Sequence, residues 1–264
     1  MQYFFISFFA LALLYVSAIF IMQSFQQRLI FQGKPSAPET RYQFEHPHQE
    51  ICLSYSDGTS VHGLYFQVAH SKGVVLYFHG NSKNLERWGK EYATFVERSY
   101  DVLLIDYRGY GKSKGISSEE NLYKDARKAY EWLTQKYPAS NIVLYGRSLG
   151  AAVASKLATE VPAKLLIMET PFSSIAGVFG ARLLLTDFPL KLCYQLSNAK
   201  NVPQVPYPVH IFHGTKDKVV PYREAIRLKQ VLQAKDSFTI IEGGTHRNIT
   251  SFGVYQKKLT ELLF

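Results

Sequence analysis

Residues 3–22 read YFFISFFALALLYVSAIFIM, and the first charged side chain in the whole sequence is Arg28. Two serines and two tyrosines are the polar positions in that run. About 20 such residues span a bilayer as a helix, and a helix apolar all round belongs in lipid or deep in a core. The run predicts an N-terminal membrane anchor. A signal peptide fits less well: the basic start is missing, and the apolar run continues past Val16-Ser17-Ala18. A core helix of this length with no polar face is unusual. No Lys or Arg precedes the run, whereas Arg28, Lys34 and Arg41 come after it. The positive-inside bias then puts the remainder of the chain on the cytoplasmic side of a single-pass anchor.

Beyond Met22 the pattern breaks up. Residues 23–40 read as a connector ending in GKPSAPET. EICLSYS and SVHGLYFQV read as two strands joined by a turn at Asp57-Gly58. VVLYFHG is a continuous apolar strand. Helical and apolar runs then alternate: helix 84–98, strand DVLLID, helix 118–137, strand NIVLYG, helix 148–160 and strand AKLLIME. After an apolar insert at 171–200 come strand PVHIFHG, helix 221–234, strand SFTIIEG and helix 246–263. Strands apolar along their whole length belong to a parallel sheet covered by helices on both faces. The expected division is an anchor over 1–27, a linker over 28–43 and one α/β domain over 44–264, with the insert as a cap.

Composition narrows the classes. Eighteen Tyr and eighteen Phe in 264 residues exclude a disordered chain. The net charge of +9 comes from dispersed Lys and Arg, with no basic run longer than two. That distribution argues against nucleic acid and suits a domain held near anionic lipid. Cys52 and Cys193 form no Cys-x-x-Cys pattern and no zinc spacing, so two buried thiols are expected, with a single disulfide as the alternative, and no metal is implied.

The candidate chemistry lies just after the apolar strands, where an open α/β sheet binds its ligands. Gly146-Arg147-Ser148-Leu149-Gly150 fits G-x-S-x-G between a strand and a helix. Such a turn is strained, and side chains at the two glycine positions would strike neighbouring backbone. The serine alone also reads as a helix cap. A hydroxyl becomes a nucleophile only beside a base with its own partner, and the chain order in this topology is Ser, acid, His. Asp217 comes after strand PVHIFHG and His246 after strand SFTIIEG, which completes that order. Glu169, at the end of LLIME, is a rival acid. The backbone N–H groups of Asn81, after YFHG, and of Leu149 are the candidate oxyanion donors. His79 reads as a residue that holds this loop. The glycines of DYRGYGKSKG fit neither a Walker A loop nor a dinucleotide fingerprint, so Asp106 and Arg108 read as structural and no nucleotide is implied.

Taken together, YFHGN, DYRGYGKS, YGRSLGAAVA, ETPFSSI, HGTKDKVVP and GGTHRN resemble the α/β-hydrolase superfamily. The likeness is to its small-capped, serine-aminopeptidase-like branch, which includes membrane-anchored depalmitoylase-like proteins. The resemblance implies a mostly parallel eight-stranded sheet, a small helical cap and a serine hydrolase without a cofactor. It places nucleophile, acid and base on Ser148, Asp217 and His246, and the oxyanion donors on Asn81 and Leu149. Arg247 departs from the small or polar residue that often stands after the histidine. An apolar cap suits an acyl ester or thioester. N-terminal peptide hydrolysis would need a cap carboxylate, for which Asp187 is the candidate, and a tethered scaffold would need no intact site.

Overall fold

The computed structural model describes residues 2–182 and 192–264. The chain opens with α1 (Gln2–Ile30) and β1 (Gln32–Gly33), and then the hairpin β2 (His48–Ser54) and β3 (Ser60–Phe66). Next come β4 (Val74–Phe78), β5 (Ser82–Lys83), the short α2 (Leu85–Trp88) and α3 (Ala93–Val96), and β6 (Asp101–Ile105). After α4 (Glu119–Thr134) the order is β7 (Ile142–Arg147), α5 (Leu149–Ala158), β8 (Leu165–Glu169), α6 (Ile175–Arg182) and α7 (Asn198–Asn201). The chain closes with β9 (Val209–Gly214), α8 (Tyr222–Lys229), β10 (Ser237–Ile241) and α9 (Gly253–Leu263).

Eight strands form one sheet in the order β10-β9-β8-β7-β4-β6-β3-β2. All its pairings are parallel except those made by β3. This is the α/β-hydrolase fold. The apolar strands have the expected cause. Along β4, Val74, Leu76 and Phe78 face one buried layer while Val75 and Tyr77 face the other. Each face is covered by helices, so both sets of alternate side chains leave water. From β6 the chain returns to place β7 on the other side of β4, which makes the β4–β7 boundary the point where strand order reverses. Asn81 and Ser148 stand just past these two strands.

Three expectations shift. The helix expected over 84–98 is two single turns, α2 and α3, joined by a 3₁₀ turn at Gly89–Tyr92. Asn84 caps the first turn, and Tyr92 stacks on Phe66 with ring centroids 4.2 Å apart. The connector is not loose: α1 runs on to Ile30, and Gln32 and Gly33 pair in parallel with Ser82 and Lys83. Finally, the cysteines are free and exposed rather than buried. Cys52 takes the outward position between the buried Ile51 and Leu53 of edge strand β2.

The helix α1 is 29 residues long, about 43 Å at 1.5 Å per residue. Among the described residues, no helix is long and apolar enough to cross a membrane, and several side chains of α1 lie outside that description. Those that are described include Phe9 and Phe20, 69% and 70% exposed, and a row of other exposed apolar residues. Near its end α1 meets the domain. Gln27 Nε2 donates to the Ser117 carbonyl at 3.1 Å, Gln26 Oε1 accepts from the Cys193 N–H at 2.9 Å, and Ile30 is buried. In the insert, α6 and residues 192–200 are described, whereas residues 183–191, with Asp187, lie outside the described residues.

Candidate active site

Ser148 sits between β7 and α5 with φ 54° and ψ −113°, a strained backbone for a residue with a side chain. The packing around it explains the flanking glycines. A Cβ on Gly146 would lie 2.3 Å from the Gly150 carbonyl oxygen, and one on Gly150 would lie 1.9 Å from that of Phe78. The Ser148 N–H donates to the Glu169 carbonyl at 2.9 Å, which ties the turn to the next strand. Leu149 opens α5, where the first N–H groups have no intrahelical acceptor and the helix dipole favours negative charge.

Asp217 and His246 are brought together. His246 Nδ1 lies 2.7 Å from Asp217 Oδ2. The other oxygen, Oδ1, accepts the N–H groups of Val219 and Val220 at 2.8 and 2.9 Å. Both carboxylate oxygens are thus held, and the pairing leaves the proton on Nδ1 and the lone pair on Nε2. A second imidazole, His213, lies behind the acid with Nε2 3.8 Å from Oδ2, and burial holds its pKa below the ordinary histidine value. Among the described residues no hydrogen bond closes between Ser148 and His246, a contact that in such sites tightens when substrate binds.

Glu169 is committed elsewhere. Its Oε1 lies 3.0 Å from Arg147 Nε, and its Oε2 accepts the Tyr145 hydroxyl. Burial raises its pKa, and Arg147 opposes the rise. Arg147 is the residue that sequence reasoning passed over. Burial disfavours its charge, but Glu169, Tyr77, Glu91 and Tyr145 together outweigh this, so its pKa lies above the usual guanidinium value. Its Nη2 donates to the His246 carbonyl at 2.9 Å, and its guanidinium lies over the Trp88 ring. A charged residue at the end of an otherwise apolar strand was the available signal.

Both carbonyls flanking the Asn81 N–H are fixed. The Gly80 carbonyl accepts from His79 Nδ1 at 2.7 Å. The Asn81 carbonyl accepts the Tyr110 hydroxyl at 2.7 Å and the Gln32 N–H at 2.9 Å. His79 is fully buried, with Nε2 3.2 Å from Asp106 Oδ1, and its own carbonyl accepts the Tyr107 hydroxyl. It buttresses the loop, as does the glycine-rich segment that carries Tyr107 and Tyr110. Arg108 pairs with Asp125 at 2.9 Å, away from Ser148.

Ser148, Asn81 and Leu149 share one cleft, whose other walls are apolar. Phe172, Ile175 and Val178 come from the insert, Val219 and Val220 from the Asp217 loop, and Leu29 and Ile30 from the end of α1. Among the described residues no group of acidic, His and Cys side chains is arranged to hold a metal.

The family described as serine aminopeptidase, S33, matches residues 69–198, a span that includes Asn81 and Ser148 and stops short of Asp217 and His246. An uncharacterized protein of Mycobacterium tuberculosis, Rv2307c, is 29% identical over 251 residues, covering 90% of this chain and 86% of its own. Human alpha/beta hydrolase domain-containing protein 17B is 27% identical over 198 residues, covering 74% of this chain and 67% of its own. Among solved structures, the Pyrococcus furiosus esterase Pf2001 superposes with a TM-score of 0.68 at 18% identity, over 88% of this chain and 98% of that one. An alpha-beta hydrolase from Vibrio vulnificus superposes with a TM-score of 0.69 at 23% identity, over 81% of each chain. These structures share the fold.

Proposed function

For a chain with the α/β-hydrolase fold, we propose a serine hydrolase that cleaves esters or thioesters of apolar acyl groups. The observation that carries this reading is the cleft. A candidate nucleophile and two backbone donors open into a space walled by Phe172, Ile175, Val178, Val219 and Ile30. In this reading Ser148 Oγ attacks the acyl carbonyl as its proton passes to His246 Nε2. Asp217 holds the imidazole in the tautomer that can accept it and favours the imidazolium that forms. The N–H groups of Asn81 and Leu149 receive the developing oxyanion. The imidazolium then protonates the leaving alkoxide or thiolate. Water, activated by the same imidazole, releases the acid and restores the serine.

The peptidase reading is weaker. A free amine calls for a carboxylate in the cleft, and the candidate, Asp187, is the single carboxylate of the insert and lies outside the described residues. We further propose that α1 anchors the enzyme in a membrane. Its support is the uncharged run 3–22 and the exposed apolar side chains along the helix. Placement of the domain on the cytoplasmic side rests on Arg28, Lys34 and Arg41 standing after that run.

Labelling with a fluorophosphonate, with peptide mapping of the product, tests the function. Modification of Ser148 together with turnover of acyl esters supports it. An unlabelled protein inert toward every ester and thioester would sink it.

A further inference from the structure

The N-terminal helix does more than end beside the domain. Its last turn and the two residues of β1 reach the site at two independent points. Leu29 and Ile30 stand in the wall of the cleft, and Ile30 is 2% exposed. Two residues on, the Gln32 N–H donates to the carbonyl of Asn81. We infer that residues 29–33 are a working part of the active site, in which Ile30 bounds the acyl pocket and the Gln32 amide positions the oxyanion donor Asn81. This rests on the proposed hydrolase activity.

The Asn81 N–H can point at a carbonyl oxygen over Ser148 only if the chain on both sides of it is held. On one side the hold is internal, from His79 Nδ1 to the Gly80 carbonyl. On the other side two donors share the Asn81 carbonyl: the Tyr110 hydroxyl and the Gln32 N–H. The N-terminal segment controls both. It gives the Gln32 amide directly. It also passes so close to Tyr110 that a Cβ on Gly33 would lie 2.6 Å from the ring. The segment is fixed in turn: the Lys34 N–H donates to the Lys83 carbonyl, and the Lys34 carbonyl accepts the Gly111 N–H at 3.0 Å. Whatever surface α1 engages is therefore two residues of chain from the group that holds the oxyanion donor.

Plain edge-strand packing would produce the same contacts with no kinetic consequence, so the test must separate kcat from stability. The full-length protein in detergent is assayed on p-nitrophenyl esters. Gln32→Pro deletes that N–H together with the hydrogen bond it makes, so its folding is checked by circular dichroism. Gln32→Ala keeps the N–H and removes the side chain. Loss of a whole oxyanion donor costs roughly 10²–10³ in kcat, so misaligning one is expected to cost about 10- to 100-fold, with KM within about threefold. Gln32→Ala is expected to lose less kcat than Gln32→Pro, since the N–H to the Asn81 carbonyl remains. Gly33→Ala, which displaces Tyr110, reads the same position by a second route and decides the matter if Gln32→Pro does not fold. Ile30→Ala is expected to move the preferred acyl chain about two carbons longer. Folded Gln32→Pro or Gly33→Ala protein with wild-type kcat overturns the positioning role. An unchanged chain-length profile in Ile30→Ala overturns the pocket role. A wild-type enzyme inert toward all esters fails the hydrolase reading instead.

Discussion

Arg147 Nη2 donates to the backbone carbonyl of His246 at 2.9 Å, so the residue immediately before the candidate nucleophile holds the loop of the candidate base. The same guanidinium reaches Glu169 at 3.0 Å and Glu91 at 3.5 Å. Arg147→Met should therefore act twice. It leaves Glu169 buried without its cation, and breaking a buried pair from one side costs about 3–5 kcal/mol. For a domain of this size that is a fall in Tm on the order of 10 °C. It also frees the His246 loop. Arg147→Lys restores the charge without the planar fork, so it should recover stability better than it recovers kcat. Equal recovery of both, by calorimetry and steady-state kinetics, would mean that Arg147 serves stability alone.

Ser148→Ala should remove ester hydrolysis and fluorophosphonate labelling while the circular dichroism spectrum stays that of the wild type. Asp217→Asn should lower kcat by about 10⁴, the scale seen when the histidine is held in the wrong tautomer. Glu169→Gln should cost far less, because Glu169 is held by Arg147 and Tyr145, whereas Asp217 holds the His246 ring. If the two carboxylate variants rank the other way, Glu169 is the acid.

Much of this arrangement is legible in the sequence because it rests on long, regular signals. Runs such as VVLYF and IVLYG mark strands buried on both faces, and the loops after them carry Asn81 and Ser148. The pairing of Asp217 with His246 joins two such loops. What escapes is local or depends on tertiary packing. A two-residue strand such as Gln32–Gly33 has no periodicity to read. The break between α2 and α3 depends on Tyr92 finding Phe66, which lies 26 positions earlier. The reach of Arg147 to a carbonyl 99 residues away depends on how two loops meet. Cys52 looked buried by residue type and is exposed by its place on an edge strand.

Membrane attachment is checked by fractionation. Full-length protein should remain in the pellet after a carbonate wash, because residues 3–22 hold no charge. Its release into the supernatant would remove the anchor. A purified product beginning at Ile19 would show cleavage of a signal peptide instead.

His210 gives stability a pH dependence away from the site. It stands on β9, fully buried against β10, with Nε2 3.0 Å from the Thr239 hydroxyl. Burial first, and Lys258 second, push its pKa down to about 3. Between that value and an unfolded value near 6.5, the unfolded chain binds a proton that the folded chain refuses. Stability from this group is therefore full above about pH 6.5 and declines as pH falls toward 3, by up to about 1.4 kcal/mol per unit. Urea unfolding from pH 7 to 5 should show the slope, and His210→Asn should flatten it. A slope unchanged in that variant would assign the acid sensitivity to other groups.

The acyl preference stems from the cleft. Its walls are aliphatic and aromatic, from Phe172, Ile175 and Val178 to Val219 and Ile30. Each methylene moved fully from water contributes about 0.8 kcal/mol, so four beyond acetyl contribute up to about 3 kcal/mol. Only the share realised in the transition state raises the rate, and a crowded or wet pocket realises less. Over p-nitrophenyl esters from C2 to C12, kept below their micelle concentrations, kcat/KM should rise and peak at C6 or beyond. Val178 is buried in the cleft wall, and Val178→Phe adds a ring there. That variant should move the peak toward shorter chains and leave the acetyl ester within about threefold of wild type, since acetyl fills only the mouth nearest Ser148. A wild-type profile that falls steadily from C2 would mean that the insert packs against the domain without receiving an acyl chain. A peak that ignores Val178→Phe would place the chain along another wall.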